Sequence, residues 1–266
     1  MTSDKIQIGV ACGDNCEHYV NFLINSIMKS SINAERIEFI LGINKKSVNV
    51  ELLKRNDVAT KMIKCFSNGI TSLEHGKCLD SIFGNMDSKY GMFVDCDVAF
   101  LYKGWDVLFE SMINENTVII GPEYDGNKYM NFPNIVGCFF LTDVLKELKI
   151  SLKPDKTIKI DKHNALIYNR KIGDEIFLDV GWELCYKLRK SGYSGIALPL
   201  ARTMNSSGSV VTSVSPKFIQ SDMRGEEYQL NGNPILTHVG RSSTRDFNTD
   251  PIVIRWRSEV EKWLAK

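Results

Sequence analysis

The sequence predicts an α/β fold: a Rossmann-like, mostly parallel mixed sheet flanked by helices and followed by a C-terminal helical elaboration. Three observations lead there. Short apolar runs alternate with amphipathic stretches through the first half of the chain. One of those runs, Tyr90 to Val94, empties directly into Asp95-Cys96-Asp97. The tail, Val253 to Leu264, repeats apolar residues at helical spacing and carries Trp256 and Trp263.

The elements follow in order. Ile6 to Ala11 is an apolar strand that stops at the turn cluster Cys12-Gly13-Asp14-Asn15. Tyr19, Phe22, Leu23, Ser26 and Ile27 recur at helical spacing and predict a helix to about Lys29. Ile37 to Ile43 is a second strand, closed by Asn44-Lys45-Lys46-Ser47, and a short helix over Val50 to Arg55 and a weak strand over Lys61 to Phe66 come next. Leu73, Cys78, Leu79, Ile82 and Phe83 place a helix over Leu73 to Met86, ahead of the strand Tyr90 to Val94. In the second half, Val118 to Ile120 and Val136 to Leu141 read as buried strands and Thr142 to Leu148 as a short helix. Ser151 to Lys171 is polar and Lys-rich, an excursion without regular structure. A helix over Val180 to Ser191, a strand over Ile196 to Leu200, and a Ser/Gly/Val-rich stretch from Met204 to Ser215, read as a mobile loop or a plain linker, complete the chain before the tail.

Composition narrows the function. The 266 residues are 43% apolar, with 33 basic residues against 32 acidic ones. That excludes a disordered chain, and a net charge of +1 offers no electrostatic footprint for nucleic acid. No apolar run approaches the roughly 20 residues that span a bilayer, so no integral membrane segment is expected. Met1 to Lys5 lacks the apolar core of a signal peptide, and the expectation is a cytoplasmic protein. The seven cysteines are odd in number, scattered and without a CxxC pair, which argues for buried free thiols and against a disulfide framework or a zinc site.

The chemistry concentrates at Asp95-Cys96-Asp97. Ligand sites of open parallel sheets form at the carboxyl ends of strands, and extended backbone would send both carboxylates to one side. Paired hard oxygen donors suit Mg²⁺ or Mn²⁺, cations that share their remaining positions with water and phosphates. A solvated acidic turn is the alternative for this tripeptide. In the strand-like segment after Pro234, His238 precedes Val239-Gly240-Arg241; its imidazole is a third candidate ligand or a partly buried histidine.

These residues resemble the GT-A fold glycosyltransferases, the DxD class that uses nucleotide sugars. The resemblance covers approximately the first 110 residues and scattered later segments. It implies a divalent cation, Mn²⁺ or Mg²⁺, held by Asp95, Asp97 and His238, and a nucleoside-diphosphate sugar, with UDP expected from its frequency in the class. It further implies nucleotide contacts from Ala11, Cys12 and Asp14 after the first strand and Asn44 after the second. His75, Gly76 and Lys77 in the helix before the DxD strand, and Cys96 within it, are the remaining expected contacts. Arg241 and Ser242 are candidates for steadying the diphosphate. Many members have Asp where this chain has Asn44. The chain shows no internal repeat and no boundary, so 1–266 is expected to be one domain: approximately 1–110 the nucleotide-binding half, 111–250 the acceptor half and 251–266 the C-terminal helix.

An inverting transfer needs a carboxylate to take the acceptor proton. Asp179, at the start of a predicted helix, is that candidate, with Glu183 one turn on; helix capping is the alternative for Asp179. Trp182 reads as an acceptor platform or a buried Trp, and Gly137 to Phe140 as a sugar-pocket wall or plain core. The expected acceptor is a hydroxyl on a glycan, a lipid-linked glycan or a protein, and the expected role is glycan biosynthesis. Two alternatives stand beside it. One is a non-catalytic nucleotide-sugar or carbohydrate-binding relative. The other is a sugar-phosphate nucleotidyltransferase, disfavoured because Cys12 to Cys16 has one glycine and no basic residue.

Overall fold

The computed structural model describes residues 3–65, 72–123, 132–154, 158–159, 171–172, 175–176, 178–204, 210–211, 214–220, 223–240, 242 and 244–266. In chain order the elements begin with β1 (Ser3–Cys12), α1 (Glu17–Ser30), β2 (Ile37–Ile43), α2 (Val50–Leu53), β3 (Ala59–Lys64) and α3 (Ser72–Gly84). There follow β4 (Ser88–Val94), β5 (Val98–Phe100), α4 (Trp105–Met112), β6 (Thr117–Pro122), β7 (Gly137–Leu141) and α5 (Thr142–Glu147). After these come the short strands β8 (Ile158–Lys159), β9 (Lys171–Ile172) and β10 (Glu175–Ile176), then α6 (Trp182–Lys190). The last elements are β11 (Ser194–Leu198), β12 (Leu200–Met204), β13 (Val210–Val211), β14 (Glu226–Leu230), β15 (Asn233–His238) and α7 (Pro251–Leu264).

The main sheet has the order β11-β6-β7-β4-β1-β2-β3. Only β7 runs against its neighbours, so the sheet is mixed and mostly parallel, as the strand–helix alternation predicts. The near-continuous apolar sequences of β1, β2 and β4 suit strands covered on both faces. One face packs on α1 through Val20, Leu23, Ile24 and Ile27 and on α4 through Trp105 and Phe109. The other packs on α3 and α6 through Leu79, Ile82, Leu184 and Leu188. Each such buried side chain contributes about 1.5–3 kcal/mol relative to exposure.

A second, five-stranded antiparallel sheet, β13-β12-β14-β15-β5, stands at the carboxyl end of β4. Pro199 separates β11 from β12, so the single strand expected over Ile196 to Leu200 divides between the two sheets. β13 lies in the stretch expected to be a loop from Met204 to Ser215 and pairs Val210 and Val211 with β12; 205–209 and 212–213 lie outside the described residues. The Ser151 to Lys171 excursion supplies β8 and the start of β9, which pair with β10 in a three-stranded sheet. Strands this short leave no periodicity in the sequence.

α7 begins at Pro251 behind an Asp250 cap, whose carboxylate accepts from the backbone of Ile252 at 2.8 Å and Val253 at 3.3 Å. Its buried face, Val253, Trp256 and Val260, closes a third cluster with Tyr19, Leu101 and Phe218. Among the described residues no helix is long and apolar enough to cross a membrane.

Candidate functional site

β4 ends at Val94, and the chain turns through Cys96-Asp97 into β5. The expected extended arrangement is therefore replaced by a turn, and it is the turn that brings the carboxylates together. Asp95 is held at the sheet edge by its N–H, which donates to the Val136 carbonyl at 3.0 Å. Asp97 is buried, and its Oδ2 accepts from the Ser242 backbone at 3.1 Å.

β15 brings the third group. It pairs antiparallel with β5, setting His238 opposite Val98, and the Val239 N–H donates to the Asp97 carbonyl at 3.1 Å. The imidazole Nε2 lies 3.1 Å from Asp97 Oδ1. One ligand atom from each of Asp95, Asp97 and His238 falls within 4.8 Å of the other two. Two carboxylate oxygens and an imidazole nitrogen at that spacing fit a divalent cation of the Mn²⁺ or Mg²⁺ kind.

The electrostatics agree. Burial raises the Asp95 carboxyl above its ordinary range, the His75 charge opposes this, and the neighbouring Asp97 adds to it. Burial pushes Asp97 the same way, but the His238 charge and the hydrogen bonds from His238 and Ser242 outweigh it and hold Asp97 low. Burial would lower His238; the carboxylates of Asp97 and Glu226 overcome that and raise it well above the usual histidine range. His238 is thus held between two carboxylates, with Nε2 3.1 Å from Asp97 and Nδ1 2.8 Å from Glu226, and a divalent cation would compete with any proton on Nε2.

A cleft of about 330 Å³ opens over these groups, lined by Ala11, Gly13, Asp14 and Cys16 from the β1–α1 connection, His75 from α3, Asp95, Cys96 and Asp97, and His238 and Ser242. His75 Nε2 lies 3.8 Å from Asp95 Oδ1, and the Cys96 thiol meets the Ser242 hydroxyl at 3.5 Å. Asp14 accepts from the Ser47 hydroxyl, which ties the loops after β1 and β2 together at the rim.

The structure therefore gathers Ala11, Asp14, His75, Asp95, Cys96, Asp97, His238 and Ser242 around one cleft. Cys12 and Asn44 are buried, and the Asn44 N–H donates to the Cys12 carbonyl at 2.9 Å; neither lines the cleft. Gly76 packs on the Leu152–Pro154 segment, where a Cβ would stand 2.7 Å from the Leu152 carbonyl oxygen. Lys77 reaches Glu74 at 3.4 Å on the outer face of α3. Arg241 lies outside the described residues.

The helix expected from Val180 begins at Trp182, and its cap is Gly181 at φ +79°. Asp179 is therefore not the cap; its carboxylate accepts from the Val180 N–H at 2.8 Å. Glu183 accepts from the Ser151 N–H at 2.7 Å and pairs with Lys187 at 2.6 Å, and Trp182 donates to the Lys153 carbonyl at 3.1 Å.

Sequence reasoning missed Glu226. It sits opposite His238 in the β14–β15 hairpin and takes the imidazole Nδ1 at 2.8 Å. The hairpin itself was legible: Asn231-Gly232, at φ +50° and +74°, is the dipeptide that two-residue turns of this hand demand.

No known protein family matches the chain by sequence profile, and no curated protein matches it. Solved structures do resemble it. The mannosyltransferase PcManGT from Pyrobaculum calidifontis, in complex with GDP-Man and Mn²⁺, superposes with a TM-score of 0.50 at 9% identity, covering 74% of this chain and 56% of that one. S. aureus TarS 1-349 in complex with UDP aligns at 17% identity and a TM-score of 0.44, covering 56% of this chain and 50% of that one. Against the longer S. aureus TarS, the same share of this chain spans 30% of the other. This chain thus spans about half or less of those proteins. The likeness is one of architecture: the chain is built on the GT-A fold, with an acidic pair and a histidine at the carboxyl edge of its sheet.

Proposed function

We propose that this protein is a metal-dependent glycosyltransferase that moves a sugar from a nucleoside-diphosphate donor to an acceptor hydroxyl. The observation that carries the reading is the convergence of Asp95, Asp97 and His238 at the mouth of a cleft on a GT-A sheet. PcManGT holding GDP-Man and Mn²⁺ on the same fold is consistent with it.

Asp95, Asp97 and His238 would hold the cation, Mn²⁺ or Mg²⁺. When bound, it supplies positive charge to the diphosphate as the bond from the sugar to the leaving phosphate breaks. Ala11, Asp14, His75 and Cys96 form the nucleotide side of the cleft, with Cys12 and Asn44 supporting the first two loops from behind and Gly76 and Lys77 continuing the helix that carries His75. Ser242 and Arg241 steady the diphosphate. On the acceptor side, Asp179 is our choice of base for an inverting transfer. Glu183, tied to Ser151 and Lys187, holds the segment before it. We assign approximately 1–110 to nucleotide binding, 111–250 to the acceptor and 251–266 to a supporting helix, within one domain. UDP-sugars are the first donors to try; the acceptor is a hydroxyl of a glycan, a lipid-linked glycan or a protein. The seven free thiols suit a reducing cytoplasm.

The test is release of UDP or GDP from UDP-glucose, UDP-N-acetylglucosamine and GDP-mannose, with Mn²⁺ and with EDTA. Full turnover by Asp95→Asn and Asp97→Asn would refute the mechanism. Metal-dependent binding of UDP with no turnover of any donor would identify a binding protein instead.

A further inference from the structure

The histidine of the cluster is not aimed by its own backbone alone. Glu226 Oε2 lies 2.8 Å from His238 Nδ1, and the buried Tyr228 hydroxyl donates to the same oxygen at 2.6 Å. Tyr228 brings its own hydrogen to that oxygen, and a carboxylate only accepts, so Nδ1 carries the hydrogen of the Nδ1–Oε2 contact. That leaves Nε2 directed at Asp97 Oδ1, 3.1 Å away.

The juxtaposition depends on one irregularity. From the turn, Leu230 pairs with Asn233 and Gln229 with Pro234, but Tyr228 then pairs with Leu236, so the strand carries one extra residue. Without that bulge Glu226 would face Thr237, and His238 would lie one position out of register. The arrangement is braced from below: the Thr237 hydroxyl donates to the Glu226 carbonyl at 2.7 Å, and Trp256 Nε1 on α7 donates to Thr237 Oγ1 at 3.1 Å.

We propose that Glu226, itself oriented by Tyr228, is the positioning residue that fixes the His238 imidazole for a cation shared with Asp95 and Asp97. This rests on the metal site proposed above. Outer carboxylates of this kind fix the ring and strengthen its donor nitrogen, and their loss typically costs about 10- to 100-fold in metal affinity.

The experiment titrates Mn²⁺ into the full chain and reads the free-ion electron paramagnetic resonance signal, with circular dichroism to confirm folding. Glu226→Gln is expected to bind Mn²⁺ about 10- to 100-fold more weakly and to alter the visible spectrum of bound Co²⁺. Tyr228→Phe, which removes only a hydroxyl and serves if Glu226→Gln does not fold, should weaken binding by a smaller factor. In the double variant it should add little, because it acts through the glutamate. A folded Glu226→Gln or Tyr228→Phe variant that binds Mn²⁺ within twofold of the wild type overturns the proposal, as does a wild type that takes up neither Mn²⁺ nor Co²⁺. A wild type that binds Mn²⁺ through Asp97 yet transfers no sugar overturns the proposed activity and leaves this assignment intact.

Discussion

His238 stands directly across the β5–β15 ladder from Val98, and this pairing sets its imidazole beside Asp97, the residue that precedes Val98. The histidine and the acidic pair belong to distant parts of the chain, so the cluster exists only when the second sheet has closed on the first.

The ligand set makes the first prediction. Mn²⁺ at about a hundred times its dissociation constant should stabilise the wild type by about 2.7 kcal/mol, seen as a rise in melting temperature that EDTA reverses. Asp97→Asn and His238→Ala should each abolish the rise. A shift that survives both substitutions would place the ion elsewhere.

Gly76 makes the second. A methyl group there would meet backbone on the facing segment, the Leu152 oxygen and Lys153 Cα both at 2.7 Å. Neither is the end of a flexible side chain, so α3 must move. Gly76→Ala is expected to cost about 1–3 kcal/mol in urea unfolding and to disturb His75 on the same turn. Gly84, with open space around it, is the control: Gly84→Ala should be neutral or better.

Glu227, next to the positioning residue, has a separate task. Its buried carboxylate accepts from the backbone of Lys217, Phe218 and Ile219 at 2.8–3.2 Å and from Gln229 Nε2 at 2.7 Å. Glu227→Ala strands the buried N–H groups of Phe218 and Ile219 and the Gln229 amide, and should destabilise the protein by about 3 kcal/mol or more. Limited proteolysis should then cut near residues 215–220 first.

The thiols predict a pH dependence. A hydrogen bond from Cys78 holds the half-buried Cys65 thiol below its ordinary range despite burial, with help from Ser81. Burial lifts Cys138 to about 12 and Cys185 to about 11. Alkylation followed by mass spectrometry should label Cys65 at a lower pH than an unperturbed cysteine, while Cys138 and Cys185 stay unmodified until the protein unfolds. The sign for stability follows. Thiols raised in the folded state ionise first in the unfolded chain, so their contribution is intact below about pH 8.5 and is lost as pH climbs toward 11–12. Urea midpoints that hold constant through pH 11 would contradict this.

Much of this was legible in the residues themselves. The apolar runs of β1, β2 and β4 and the periodicity of α1 and α3 fix the parallel half, and Val94-Asp95 marks its working edge. β5 escaped because three residues cannot display an alternation, and α4 because it spans only two turns behind a left-handed Gly104. Glu226 escaped for a different reason. Asn231-Gly232 announces a hairpin, but counting back from that turn sets Thr237, not His238, against Glu226. Only the bulge at Ile235, beside Pro234 on the same strand, corrects the count, and the apolar run Pro234 to Leu236 does not say which of its residues is the extra one. Capping, the alternative for Asp179, fails because the left-handed Gly181 two positions on takes that place, a conformation that residue order alone does not reveal.

The hairpin that delivers His238 and the helix that underpins it come after every strand of the main sheet in the order of synthesis. Until they emerge, β5 is an open strand edge beside two mutually repelling carboxylates, in a chain whose main sheet already has all seven of its strands. A polypeptide halted before Asn233 would carry that raw edge and lack the imidazole that pairs with Asp97. Such a truncation product should be sticky toward its own kind, and premature termination would show itself as aggregation before it showed as lost catalysis.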